Sequence, residues 1–121
     1  MSLSRRINSF RYAFKGMAAL FAEQANARIH LLLAAAAAAA GFYFDISAGE
    51  WIAIVLCIAL VISLEAVNTA LEYLTDLVSP DHHPLAGKAK DVAAAAVLIA
   101  SIGSAIVGLL IFLPKFSSLF G

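Results

Sequence analysis

Three long apolar stretches, separated by short polar turns, follow a mixed N-terminal arm in this chain. In that arm, residues 1–28, apolar Ile7, Phe10, Phe14, Met17, Leu20 and Phe21 recur at spacings of three and four, apart from the adjacent last pair. Arg5, Arg6, Arg11, Lys15 and Arg28 fall between or beside them. The pattern predicts an amphipathic helix suited to lying in a membrane interface. The alternative is the positive region of a signal peptide. Such regions are normally short, and two further hydrophobic segments follow the first here.

The first apolar segment covers residues 29–44, IHLLLAAAAAAAGFYF. It is Ala-rich and only marginally hydrophobic, so it should sit against other helices rather than face lipid all round. After the turn DISAGE, residues 45–50, a second helix is expected over 51–78, from Trp51 as an interfacial anchor to the break at Ser79-Pro80. Such a helix is about 42 Å long, against a hydrocarbon core of roughly 30 Å. Roughly its last two or three turns therefore emerge at one face. The loop SPDHHPLAG, residues 79–87, leads into a third helix over 88–113, ended by Pro114. Ala93, Ala96, Ala100, Ser104 and Gly108 share one face of it, which permits close approach of another helix.

Composition turns these helices into membrane spans. The chain is 63% hydrophobic and 13% charged, whereas a soluble domain is about half apolar and a quarter charged. Its 121 residues make one domain. Eight basic residues balance eight acidic ones, so no basic surplus suggests a nucleic-acid partner and none is expected. Cys57 is the single cysteine, which excludes an internal disulfide and a cysteine metal cluster. The cations fix the orientation. They gather in the N-terminal arm and at Lys88 and Lys90, the DISAGE turn holds none, and the C-terminal tail holds only Lys115. The positive-inside rule then places the N-terminus and the 79–91 loop in the cytoplasm.

The emerging end of the second helix carries the candidate chemistry. At 100° per residue, Glu65, Asn68, Glu72 and Asp76 fall within about 80° of arc. Ionisable groups near the bilayer core are expensive, and they usually line a cavity or pair with something. Polar glue between helices is the plain alternative, most of all for Asp76. Carboxylates about two turns apart near water suit Mg²⁺, and Lys90 beside Asp91 can meet phosphate as a point charge. AGKAKD is not a P-loop, since His82 and Ala89 stand where glycine and Ser or Thr are needed. The chain has no H-E-x-x-H and no G-x-S-x-G. His82 and His83 are adjacent and make a poor metal pair, and His30 at the start of the first span suits an interface.

The stretches EAVNTALEYLTDLV, HPLAGKAKDVAAAAVLIA and NARIH resemble the prokaryotic diacylglycerol kinase family, which includes undecaprenol kinases. The resemblance covers nearly the whole chain. It implies an all-α homotrimer in the bacterial inner membrane, each subunit having a surface helix and three spans, with sites shared between neighbouring subunits at the cytoplasmic face. It implies transfer of the ATP γ-phosphate to a lipid hydroxyl with Mg²⁺. By motif, Glu65 matches the general base, Asn68 a polar active-site residue and Glu72 a Mg²⁺ carboxylate. Lys90, Asp91, Arg5, Tyr12 and the segment Asp81, His82 and His83 match nucleotide-contacting positions. The family's second metal carboxylate stands four residues before the position of Arg28, where this chain has Gln24. The nearest acid is Glu23. Either a local shift brings Glu23 into the site or that ligand is absent. RIH at 28–30 and EW at 50–51 lean towards the undecaprenol branch without separating the two acceptors. A small proton- or ion-conducting subunit or an oligomeric scaffold would explain Glu65, but gives Glu72, Lys90 and Asp91 no task.

Overall fold

In the computed structural model, which describes residues 2–121, four helices follow one another: α1 (Leu3–Glu23), α2 (Ala25–Tyr43), α3 (Ala48–Val78) and α4 (Pro84–Phe120). The last three are long and apolar enough to cross a membrane. Leu32, Ile52, Ile99 and Leu110 are all more than half exposed, as lipid-facing side chains would be. On α1, Leu3, Ile7, Phe10, Phe14 and Met17 are likewise uncovered.

The arm and the first span are not one continuous helix. Helix α1 ends at Gln24, whose backbone is extended at φ −112° and ψ 111°, and α2 starts at the next residue. Arg28 explains why the break holds. Its guanidinium reaches back from the first turns of α2 and donates to the carbonyls of Phe21 and Ala22 at 2.9 and 3.0 Å. Those carbonyls belong to the last turn of α1 and have no partner within their own helix. A cation also suits the negative end of the helix dipole. The result is an elbow with Arg28 inside it.

Helix α3 begins at Ala48, three residues before the expected Trp51, because Ser47 and Glu50 form a capping box. Ser47 Oγ accepts from Glu50 N at 3.1 Å, and Glu50 Oε1 accepts from Ser47 N at 3.0 Å. Helix α4 begins at Pro84, since proline at the first helical position gives up no bond. It does not stop at Pro114 but runs on to Phe120. A proline inside a helix denies a donor to the carbonyl four residues back and crowds it. Here that is one carbonyl near the end of a 37-residue helix, and the next carbonyl, Ile111 O, accepts from Lys115 Nζ at 3.2 Å.

Helices α3 and α4 pack along each other most extensively, α2 lies against α3, and α1 touches α2 and α3 at its C-terminal end. The small-residue stripe of α4 serves this packing, with Ala93, Val97 and Ala100 buried. At the DISAGE end, Ile46, Ile54 and Ile111 form a buried cluster surrounded by Phe44, Trp51 and Phe112. Gly41 is needed there. A Cβ on it would lie 2.6 Å from the Trp51 ring and 3.1 Å from Ile46.

Candidate active site

Helix α3 carries its polar residues from buried to exposed in chain order. Glu65 is 3% exposed, Asn68 and Glu72 are half-buried, and Asp76 is exposed. Asn68 Nδ2 donates to Glu72 Oε1 at 3.3 Å, one helical turn away. Its Oδ1 is buried with no partner among the described residues, as are Thr69 Oγ1 and Ser101 Oγ.

Three neighbouring elements reach this strip. From α2, His30 Nε2 lies 3.4 Å from Glu65 Oε1. From the end of α1, Glu23 accepts a hydrogen bond from the hydroxyl of Tyr73, the residue after Glu72. From α4, Lys90 pairs with Asp76. The elbow at Gln24 makes the α1 contact available. It ends α1 beside α3, so the Glu23 carboxylate faces Tyr73 although it is one position off the family spacing. Gln24 itself is the residue that turns the corner.

Other residues singled out in the sequence form no hydrogen bond or ion pair with the acids of this strip among the described residues. Arg5 stands in the first turn of α1 and Tyr12 near its middle, both exposed, Tyr12 at 68%. Asp91 is exposed, as are Asp81, His82 and His83. His83 has a local task as the N-cap of α4, with Nδ1 accepting from Leu85 N at 3.1 Å. Sequence reasoning missed His30 and Tyr73 as neighbours of the acids. His30 stands in the RIH run and Tyr73 next to Glu72, but only the packing of α2 and α1 on α3 brings them in.

Below Glu65, an apolar groove of about 300 Å³ runs between α2, α3 and α4. His30 stands in its wall with Ala37, Val61, Ser104, Gly108 and Phe112. The wall residues span roughly 10–16 Å along the helices at 1.5 Å per residue. The small side chains of α2 and α4 leave the space.

A buried carboxylate, a paired carboxylate and amide, and a lysine thus succeed one another from groove to surface. Residues 11–112 match the family model for prokaryotic diacylglycerol kinase. This chain belongs to the prokaryotic diacylglycerol kinase family. It is 43% identical to an undecaprenol kinase of Bacillus subtilis over 93% of its own length and 92% of that protein's. It is 44% identical to a diacylglycerol kinase of Synechocystis over 92% of its own length and 64% of that protein's. A diacylglycerol kinase of Escherichia coli is 31% identical over 82% of this chain and 81% of its own. The chain is therefore a membrane lipid kinase, a phosphotransferase acting on an alcohol with ATP as co-substrate. A conducting or purely structural subunit is not favoured.

The donors of the strip suit Mg²⁺. Glu72 offers a carboxylate, and the unpartnered Oδ1 of Asn68 adds a second hard oxygen on the adjoining turn. Among the described residues, no three His, Cys, Asp or Glu side chains converge on one point. Mg²⁺ in kinase sites commonly takes one or two carboxylates and completes its shell with water and substrate phosphates.

Proposed function

We propose that this kinase phosphorylates the hydroxyl of a polyprenol in the bacterial inner membrane, with its N-terminus and 79–91 loop in the cytoplasm and α1 lying in the interface. The observation that carries the reading is the order from groove to surface: on α3, Glu65 buried one turn beyond the groove-lining Val61 and Ile62, then Glu72 half-buried, with Lys90 of α4 beside Asp76 at the exposed end. A lipid acceptor rises from below in that arrangement, and a nucleotide arrives from above.

In the proposed reaction Glu65 takes the proton of the acceptor hydroxyl as its oxygen attacks the γ-phosphorus. The bond from that phosphorus to the ADP oxygen breaks. Positioning and neutralisation of charge supply most of the acceleration in such transfers. Glu72, with Asn68 Oδ1 and Glu23, would hold Mg²⁺, which when bound neutralises phosphate charge. Lys90 leaves Asp76 to meet a phosphate oxygen, and Asp91 stands beside it. Arg5, Tyr12 and the segment Asp81, His82 and His83 meet the nucleotide from a neighbouring subunit of a homotrimer. That assignment is supported by their exposure.

Identity does not separate the two acceptors, at 43% and 44%. One feature favours the polyprenol: the undecaprenol kinase is matched over 92% of its length, against 64% and 81% for the diacylglycerol kinases of Synechocystis and Escherichia coli. The EW pair lends no support, because Glu50 and Trp51 are occupied in the cap and the core of the DISAGE end.

The test is phosphate transfer from labelled ATP in mixed micelles, with undecaprenol and diacylglycerol offered side by side, with and without Mg²⁺. Label should enter undecaprenol faster, only with Mg²⁺, and not with Glu65→Gln. Faster labelling of diacylglycerol would overturn the acceptor. Undiminished labelling by Glu65→Gln would overturn the base.

A further inference from the structure

Glu65 is the most deeply buried charged side chain of the described residues, and a buried carboxylate is costly unless paired and hydrogen-bonded. Its neighbours are few. On its own helix, Asn68 is engaged with Glu72. From α1, Glu23 is engaged with Tyr73. From α4, Lys90 is engaged with Asp76, while Lys88 and Asp91 are exposed and neither forms an ion pair among the described residues. No basic side chain other than His30 comes within the 4.0 Å ion-pair distance of Glu65 among the described residues. His30 stands at the groove, with its side chain 21% exposed against 5% for Glu65.

We propose that His30 is a positioning residue for the kinase reaction. Its Nε2–H donates to Oε1 of Glu65, fixing the carboxylate and leaving Oε2 for the acceptor hydroxyl that emerges from the groove. The inference rests on reading Glu65 as the base. At 3.4 Å the contact is long for an N–H···O bond, and catalytic hydrogen bonds commonly shorten once substrate is bound. The hydroxyl approaches from the groove side, and without the bond to His30 nothing among the described residues would hold Oε2 toward it. Misplacement of a reacting group by about 1 Å can cost about 100-fold in rate.

The experiment measures kcat and KM for MgATP and for undecaprenol, in mixed micelles, with His30→Leu, His30→Gln, His30→Asn and Glu65→Gln. The oligomer is followed by size-exclusion chromatography. His30→Leu should lower kcat by about 10- to 100-fold with an unchanged KM for ATP. His30→Gln carries an amide N–H far enough out to reach Glu65 and should restore kcat to within about threefold of wild type. His30→Asn, whose donor falls short, should stay near the leucine variant. Wild-type kcat in His30→Leu, with Glu65→Gln inactive, would overturn the positioning role and leave the base intact. If His30→Leu loses its oligomer, equal kcat in the glutamine and asparagine variants overturns the proposal. Activity in Glu65→Gln removes the base and this proposal with it.

Discussion

In the proposed reaction Glu72 and Lys90 have different tasks, metal and phosphate, and two substitutions should separate them. Glu72→Gln keeps the shape of the side chain and an oxygen for the Asn68 amide, but loses the charge. The Mg²⁺ concentration for half-maximal activity should rise about tenfold or more, with the KM for lipid unchanged. A Mg²⁺ titration at fixed ATP that superimposes on wild type removes Glu72 from the metal. Lys90→Ala removes a cation now paired with Asp76, and the KM for ATP should rise about tenfold through loss of a charge-assisted phosphate contact. An unaltered ATP curve would refute the phosphate role. The acid stripe itself was legible in the sequence, because a period of 3.6 places Glu65, Asn68, Glu72 and Asp76 on one side of any helix that includes them. The partners of those acids were not. Tyr73 lies about 100° away from Glu72 around the helix, and it meets Glu23 only because another element ends beside it.

The elements were legible where a local rule governs them and obscure where a distant group does. Proline at the start of α4 and the break at Ser79-Pro80 follow from the missing N–H of proline. The Ser47–Glu50 capping box is a local signal too, present in SAGE yet outweighed in the reading by the apolar run that begins at Trp51. The elbow at Gln24 has no such signal. Nothing in FAEQANAR breaks a helix, and it is the Arg28 guanidinium, folded back on Phe21 and Ala22, that makes the break. Pro114 errs in the other direction, since a single lost bond near a helix end does not outweigh the packing of the turns around it. The α2–α3 turn supplies the prediction at this scale. Gly41→Ala would force the indole of Trp51 off the backbone, in a place where Ile46 and Ile54 are already buried. Overpacking of this kind costs about 1–3 kcal/mol. Thermal unfolding in micelles should show a lowered midpoint while kcat at low temperature is retained. An unchanged midpoint would mean that the ring shifts freely.

Across the whole molecule the two ends are built differently. At the DISAGE end, Lys115 of α4 bonds Glu50 of α3 at 2.8 Å. Phe44 packs edge-on against Phe116 with ring centroids 4.8 Å apart, and Phe42 tilts against Trp51 at 4.8 Å. At the other end α3 and α4 still pack through buried Ala93, Val97 and Ala100, but no aromatic cluster joins the helices among the described residues, and each neighbouring helix adds a single polar pair to α3. Lys115→Met should therefore cost stability rather than chemistry, about 1 kcal/mol for a pair that solvent partly reaches. The check is the temperature of half-inactivation, which should fall while specific activity below it holds. Loss of activity without loss of stability would mean that the pair serves the reaction. Three long helices clamped most firmly at one end behave as levers hinged there. A small change of angle at the aromatic clamp becomes a displacement that grows along the helices, from Glu65 in mid-helix to Glu72 and Lys90 beyond it, the groups that gather around one phosphate in the proposed reaction. A change in bilayer thickness or lateral pressure would then reach the reaction as a change in the spacing of those groups, with none of their own contacts altered first.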